Sequence, residues 1–146
     1  MNSWIYNGVP ITDDAIPVGS IGFIYKITQK TTGKWYIGRR LLTKSATKTV
    51  NGKKKKIRKE SDWKDYWSSN DEIKGLAKAD PNQFERKILI FVTTMGAMAY
   101  SEEWALYKTG ALFDPLCLNG NIRAKIMRNW FAKTPNLHNE LEAALI

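Results

Sequence analysis

Cysteine and histidine are almost missing from this chain, which has one of each, Cys117 and His138. A lone cysteine excludes an intrachain disulfide framework and a cysteine-built metal site. A lone histidine argues against a two-histidine metal nuclease or a hydrolytic zinc centre. Long apolar runs are missing too. The longest strictly apolar stretch, Ile88 to Val92, is far too short to cross a bilayer. The N-terminus shows no charged segment followed by an apolar one, so no secretory signal is expected. There is no Gly-x-x-x-x-Gly-Lys loop to cradle a nucleoside triphosphate. No repeat or Pro/Gly/Ser linker divides the sequence. The expectation is a soluble, cytoplasmic protein with no membrane partner. Its 146 residues make most simply one domain, residues 1–146, able to bury a core without staples.

Acidic residues are absent from one long segment. Between Arg39 and Lys59 stand Arg39, Arg40, Lys44, Lys48, Lys53, Lys54, Lys55, Lys56, Arg58 and Lys59, with no Asp or Glu among them. The rest of the chain is nearly balanced, so this segment carries almost the whole net charge of +9. A polyphosphate is the expected partner of such a patch, although charge runs are often only solvated faces. Asn51-Gly52 within it is a strong two-residue turn signal. Thr47–Val50 and Lys54–Arg58 then read as arms of a basic β-ribbon, with disorder as the competing reading.

Apolar and polar residues alternate from Gly22 through Thr28, and again in Trp35-Tyr36-Ile37-Gly38. Lys30-Thr31-Thr32-Gly33-Lys34 lies between them, which reads as a hairpin. Phe84–Val92 reads as a third strand. Ser61 offers an N-cap for a short helix through Trp67, Ser69 or Asn70 caps another through about Ala79, and Thr94 caps a helix over Met95–Thr109. Asn121–Phe131 reads as a basic helix exposing Arg123, Lys125 and Arg128. A last amphipathic helix follows Thr134-Pro135, its Leu137, Leu141 and Leu145 packing on the domain or on a partner. Residues 1–20 read as an irregular lead-in or short extra strands. The fold class expected is α+β: a small three-stranded, mainly antiparallel sheet flanked by helices, with the basic β-ribbon as an insertion. The core is expected at about 22–126, with a helical extension over about 127–146.

One carboxylate stands where solvation does not explain it. In the Met95 helix, positions 95, 98, 99, 102 and 106 share a stripe reading Met, Met, Ala, Glu, Leu. Glu102 interrupts that apolar face and needs a metal, a cation or hydrogen bonds to be tolerated there. The alternatives are a metal ligand and a structural ion pair. Cys117, flanked by leucines, reads as a packed thiol.

The hairpin carries a further signal. Tyr25 closes Phe23-Ile24-Tyr25 and Tyr36 opens Tyr36-Ile37-Gly38, so pairing of the arms brings the two phenols together. The bland alternative is a cross-strand aromatic pair. The pattern resembles the GIY-YIG nuclease family, with Phe23 in the place of the usual first glycine and Gly22 one position earlier. Ser61-Asp62-Trp63, Tyr66 and Ser68-Ser69 also look like phage members of that family, and the resemblance spans about 22–126. It implies a metal-dependent DNA endonuclease, of phage or mobile-element type, using Mg²⁺ or Mn²⁺. Tyr25 or Tyr36 would orient or deprotonate the attacking water, Glu102 would hold the metal, and Asn119 would position a water. Asn121 is the fallback for that last role, and plain turn chemistry of Asn119-Gly120 is its rival. The family's arginine sits in the helix after Tyr-Ile-Gly, where this chain has none. Arg39, Arg40 and Arg58 are the candidates, since a guanidinium grips phosphate oxygens in pairs. Lys44, Lys48, Lys53, Lys54, Lys55, Lys56, Lys59, Arg123 and Arg128 are expected to contact the DNA backbone. A homodimer through the last helix and a partner protein supplying specificity are further expectations. The missing helical arginine keeps open a catalytically inactive nucleic-acid-binding protein of the same scaffold. A structural protein with a solvated basic loop is the third reading.

Overall fold

The computed structural model describes residues 2–145. Its centre is the expected hairpin. The first arm is β3 (Gly22–Gln29) and the second β4 (Trp35–Leu41), paired antiparallel with Tyr25 opposite Gly38 and Ile27 opposite Tyr36. β3 also pairs antiparallel with β7 (Phe84–Val92), through a bulge where Tyr25 faces Ile88 and Ile24 faces Ile90. These three strands are the sheet read from the sequence.

The sheet is nevertheless larger than expected. β1 (Trp4–Tyr6) runs parallel to β7, and β2 (Val9–Pro10) turns back on β1, giving a five-stranded mixed sheet in the order β2-β1-β7-β3-β4. These fall among the short extra strands that residues 1–20 allowed, but a strand of three residues has too little periodicity to be placed from sequence. It is fixed here by Trp4, whose fully buried indole donates to the carbonyl of Trp63 at 2.7 Å.

Side chains alternate across the sheet, so the two faces have separate cores. One face buries Phe23, Tyr25, Ile27, Ile88 and Phe91 under Trp4, Trp63 and α1 (Asp71–Ala79), which contributes Ile73 and Ala77. The other buries Ile24, Ile37 and Val92 under α2 (Met95–Lys108), which contributes Met98, Ala105 and Leu106. Asn70 caps α1 by accepting from Ile73 N, and Thr94 caps α2 by accepting from Ala97 N, as their side chains suggested. The helix expected from Ser61 to Trp67 is only one 3-10 turn, Trp63–Asp65. The Ser61 hydroxyl donates to Leu41 O while accepting from Trp63 N, which ties this segment to the end of β4.

Between β4 and that segment, β5 (Thr43–Val50) and β6 (Lys53–Glu60) form a two-stranded antiparallel ribbon closed by Asn51-Gly52. Both turn residues have positive φ, which Asn and Gly tolerate. The arms are longer than the sequence indicated because threonine alternation continues the pairing back to Thr43 opposite Glu60.

The basic helix expected over Asn121–Phe131 does not form. β8 (Asn121–Ile122) and β9 (Ile126–Met127) make a small hairpin, followed by a 3-10 turn over Arg128–Phe131. Arg123 and Ala124 take positive φ at its tip, braced by Asn121 Oδ1 accepting from Ala124 N at 2.8 Å. Arg128 is turned inward, not exposed on a helix. Its guanidinium donates to the carbonyls of Ala111, Leu112, Asp114, Cys117 and Asn119, a set of acceptors that no helix would have presented. The last helix, α3 (Leu137–Ala144), leaves Leu141 and Leu145 exposed and meets the domain through His138, which stacks on Phe113. Among the described residues no helix is long and apolar enough to cross a membrane.

Candidate active site

Tyr25, Tyr36, Gly38 and Arg40 share one face of the hairpin, by the alternation of β3 and β4 and the pairing of Tyr25 with Gly38. The ring of Tyr25 is fully buried, 6.4 Å from the ring of Tyr36 and 5.9 Å from that of Tyr66. Gly38 is required for this arrangement. A Cβ there would overlap the Tyr25 phenol, lying 2.6 Å from its Cζ. Gly22 has the same kind of role one strand over, where a Cβ would run into Met98 Cε and the Arg40 carbonyl. That explains why the glycine stands at 22 here, with Phe23 turned into the core.

Only one of the two motif phenols is reachable. Tyr36 is half-buried, and its hydroxyl shares a hydrogen bond with Ser69 Oγ at 3.1 Å. Burial pushes both phenols above the usual tyrosine range. Neighbouring phenols and the charge of Glu102 add to the effect, and for Tyr36 the Ser69 bond partly opposes it. The lowering by basic neighbours that a phenolate base would need is therefore not supplied by the protein alone.

Glu102 reaches the same end of the sheet from the opposite side. It follows Met98 by four residues on α2 and faces Arg39 of β4, with Arg39 Nε 3.9 Å from its Oε1. Its side chain is 23% exposed against 47% for Arg39. Burial raises the carboxyl above its ordinary value, Arg39 opposes this, and Glu103 reinforces it. The carboxylate is thus under-compensated. An ion pair at that distance is no close hydrogen bond. Among the described residues, no group of three or more His, Cys, Asp or Glu side chains comes together. The donor set suits an ion that takes one carboxylate and completes its shell with water and phosphate oxygens, as Mg²⁺ does.

The arginines separate. Arg39 stands beside Glu102, half-exposed. Arg40 pairs with Asp62, and its guanidinium lies over the Tyr66 ring at 4.1 Å. Arg58 is on β6, where it donates to the Thr43 and Ser45 hydroxyls and the Thr43 carbonyl across the ribbon. Arg123 pairs with Glu103 at 3.8 Å.

Asn119 is buried and holds β4 at its outer edge. Its amide donates to Ile37 O at 2.8 Å, and its side-chain oxygen accepts from Ile37 N at 3.0 Å. Leu116 and Leu118 have already paired with Trp35 there, so Asn119 ends the ladder with a side chain in the role of a backbone. By the period of two, the next outward backbone group of β4 belongs to Arg39. Turn chemistry does not describe Asn119. Cys117 is a packed thiol that donates to Asn119 Oδ1 at 3.3 Å, and burial pushes it up.

Tyr66, Ser69 and Asp62 contact these residues and carried no role in the chemistry read from the sequence, where Ser69 was only a candidate N-cap. Their signal was the run Ser61 to Ser69, legible only as a resemblance. Arg86 was invisible. This buried β7 residue lies between the rings of Trp4 and Trp67 and donates to the carbonyls of Asn2, Lys64 and Tyr66, fixing the segment that bears Tyr66. Burial lowers its guanidinium to about 10, so it remains charged at neutral pH.

The family described as "Putative endonuclease segE, GIY-YIG domain" matches residues 4–122. The match begins at β1, so the parallel strand within residues 1–20, read in sequence as a lead-in or short extra strands, lies inside it, and it ends within β8. No curated protein is significantly similar to the chain, and no solved structure is either.

Proposed function

Since this chain belongs to the GIY-YIG nuclease family, we propose that it is a divalent-metal-dependent DNA endonuclease that hydrolyses phosphodiester bonds. The observation supporting this reading is the Arg39–Glu102 pair, a half-exposed guanidinium beside an under-compensated carboxylate whose charge also acts on the Tyr36 phenol. A phage or mobile-element source is part of the same proposal and rests on the resemblance alone.

The residues divide the work as follows. Tyr36, oriented by Ser69, holds the attacking water as a neutral phenol. Its proton-accepting form is reached only when added positive charge offsets the burial. Tyr25 is a positioning residue, buried beneath Gly38. Arg39 is paired loosely enough to swing onto the phosphoryl oxygens, where its planar fork takes two of them. Arg40 braces Tyr66 and Asp62. Arg58 is committed to the ribbon and Asn119 to β4, so neither touches the reacting atoms. Glu102 would hold Mg²⁺ or Mn²⁺, and the ion would supply neutralisation of the phosphate and stabilisation of the leaving oxygen. The ribbon would grip flanking backbone without reading sequence.

The test is cleavage of supercoiled plasmid by the wild type with Mg²⁺ and with EDTA, alongside Glu102→Ala. Nicking or linearisation that needs the metal and is lost in the variant supports the reading. Binding by both proteins with no cutting under any divalent metal would make this a binding module on a nuclease scaffold. Activity that survives in Glu102→Ala would keep the enzyme and move the metal elsewhere.

A further inference from the structure

The two faces of the β5–β6 ribbon have different chemistry, although nearly every residue on it is polar. The pairing fixes which side chains stand together. Lys44 lies opposite Lys59, Ala46 opposite Ile57, Lys48 opposite Lys55 and Val50 opposite Lys53 on one face. On the other, Thr43 faces Glu60, Ser45 faces Arg58, Thr47 faces Lys56 and Thr49 faces Lys54.

The second face is internally consistent. Every β5 position offers a hydroxyl to a charged partner across the ladder. Near the root these meet, since Arg58 donates to both Thr43 and Ser45. The first face is self-repelling. Two lysine pairs stand directly opposite each other, at positions where cross-strand Cβ atoms are roughly 5 Å apart and like charges destabilise. No acidic residue occurs between Lys44 and Lys59 to relieve them, and residues 47–56 are all exposed, with no domain surface packed on them. A two-stranded ribbon is marginal in water even without this load. What distinguishes the lysine face is its two opposed like-charge pairs, Lys44–Lys59 and Lys48–Lys55, which have no ion-pair partner among the described residues, and a row of phosphates supplies one.

We propose that the face bearing Lys44, Lys48, Lys53, Lys55 and Lys59 is the surface that seats on the phosphates of duplex DNA. The face bearing Arg58 is bracing and stays turned away. This rests on the reading that DNA is the substrate, and adds which side of the ribbon meets it. Strands of eight residues extend roughly 27 Å. A two-stranded ribbon also fits the roughly 12 Å major groove. The lysines of β5 and β6 on that face therefore lie within reach of a run of phosphates on the flanking backbone.

The experiment compares two variants that remove equal charge from opposite faces, Lys48→Thr/Lys55→Thr and Lys54→Thr/Lys56→Thr. Binding to a short duplex is followed in EDTA from low to moderate salt, with thermal melts confirming that both variants fold. The slope of log K against log salt is expected to flatten by about 1.8 in the first variant, since each lost phosphate contact is worth about 0.9. In the second it should change by less than about 0.5. Removing the opposed pair should also slow amide exchange in the DNA-free ribbon. Equal flattening in both variants, no flattening in the first, or no binding by the wild type would overturn the proposal. Plasmid cleavage in Mg²⁺, run in parallel, separates the two ideas. Cutting with equal slopes sinks the face assignment and keeps the nuclease, whereas unequal slopes without cutting do the reverse.

Discussion

Glu102 has a cost to the fold that its pH dependence should expose. Its folded pKa lies above the ordinary glutamate value, with burial as the first cause. The folded state therefore favours the protonated form. The associated stability is fully present below the unfolded pKa of about 4.3 and is lost as pH rises through the folded value. Glu102→Gln should then melt higher than the wild type at pH 7 without metal. The gain should shrink towards nothing below about pH 4, where the wild type is protonated in both states. Thermal melts from pH 3 to 8 would show this, and a variant less stable than wild type at pH 7 would mean that the Arg39 pair outweighs burial. The residue was legible in the sequence because its helix stripe was otherwise apolar. Its partner was not, since Arg39 and Arg40 are adjacent and only the strand's alternation sends one to Glu102 and the other to Tyr66.

At the scale of elements, the free side of the hairpin beyond Trp35 is held by one side chain. Asn119 satisfies both backbone groups of Ile37, and its removal leaves a buried donor and acceptor unmade. Asn119→Ala should cost about 1–3 kcal/mol. In a protein of this size that is a fall in Tm of roughly 3–10 °C. Cleavage well below the new Tm should stay within about tenfold of wild type if the side chain serves only to hold Ile37, as we propose from its two hydrogen bonds there. A loss of activity as deep as that of Glu102→Ala, in a folded variant, would return Asn119 to the chemistry. Capping residues, the hairpin and β7 were readable because each is decided by neighbours in the chain. The segment 121–131 was misread as helix. Its basic residues have acceptable helical propensity, and the five carbonyls that draw Arg128 inward belong to a loop several residues upstream.

For the molecule as a whole, the metal should be an accessory of catalysis and not of folding. With no group of three or more ligating side chains among the described residues, Glu102 implies roughly millimolar affinity at best in the absence of DNA. At a concentration near such a Kd, binding adds about 0.4 kcal/mol, a rise in Tm of about 1 °C. Calorimetry with 1 mM Mg²⁺ against EDTA would measure this, and Glu102→Gln should abolish what shift there is. A shift of 5 °C or more would point to a tighter cage than the side chains build. The net charge of +9, concentrated in the ribbon segment, leaves affinity for DNA a matter of ionic strength.

The sequence by itself determined the alternation that makes the hairpin, the spacing that brings Tyr25 and Tyr36 together, the carboxylate on an apolar stripe, and the turn that closes the basic ribbon. All of these are periodic or local, and periodicity is written in the order of residues. Tertiary structure alone decided that Tyr36 is the reachable phenol, that Arg39 meets Glu102, that Asn119 and Arg128 face inward, and that Trp4 brings a parallel strand to β7. Each of those depends on which surfaces distant segments present to one another. A buried polar group must find its partner wherever the fold puts one.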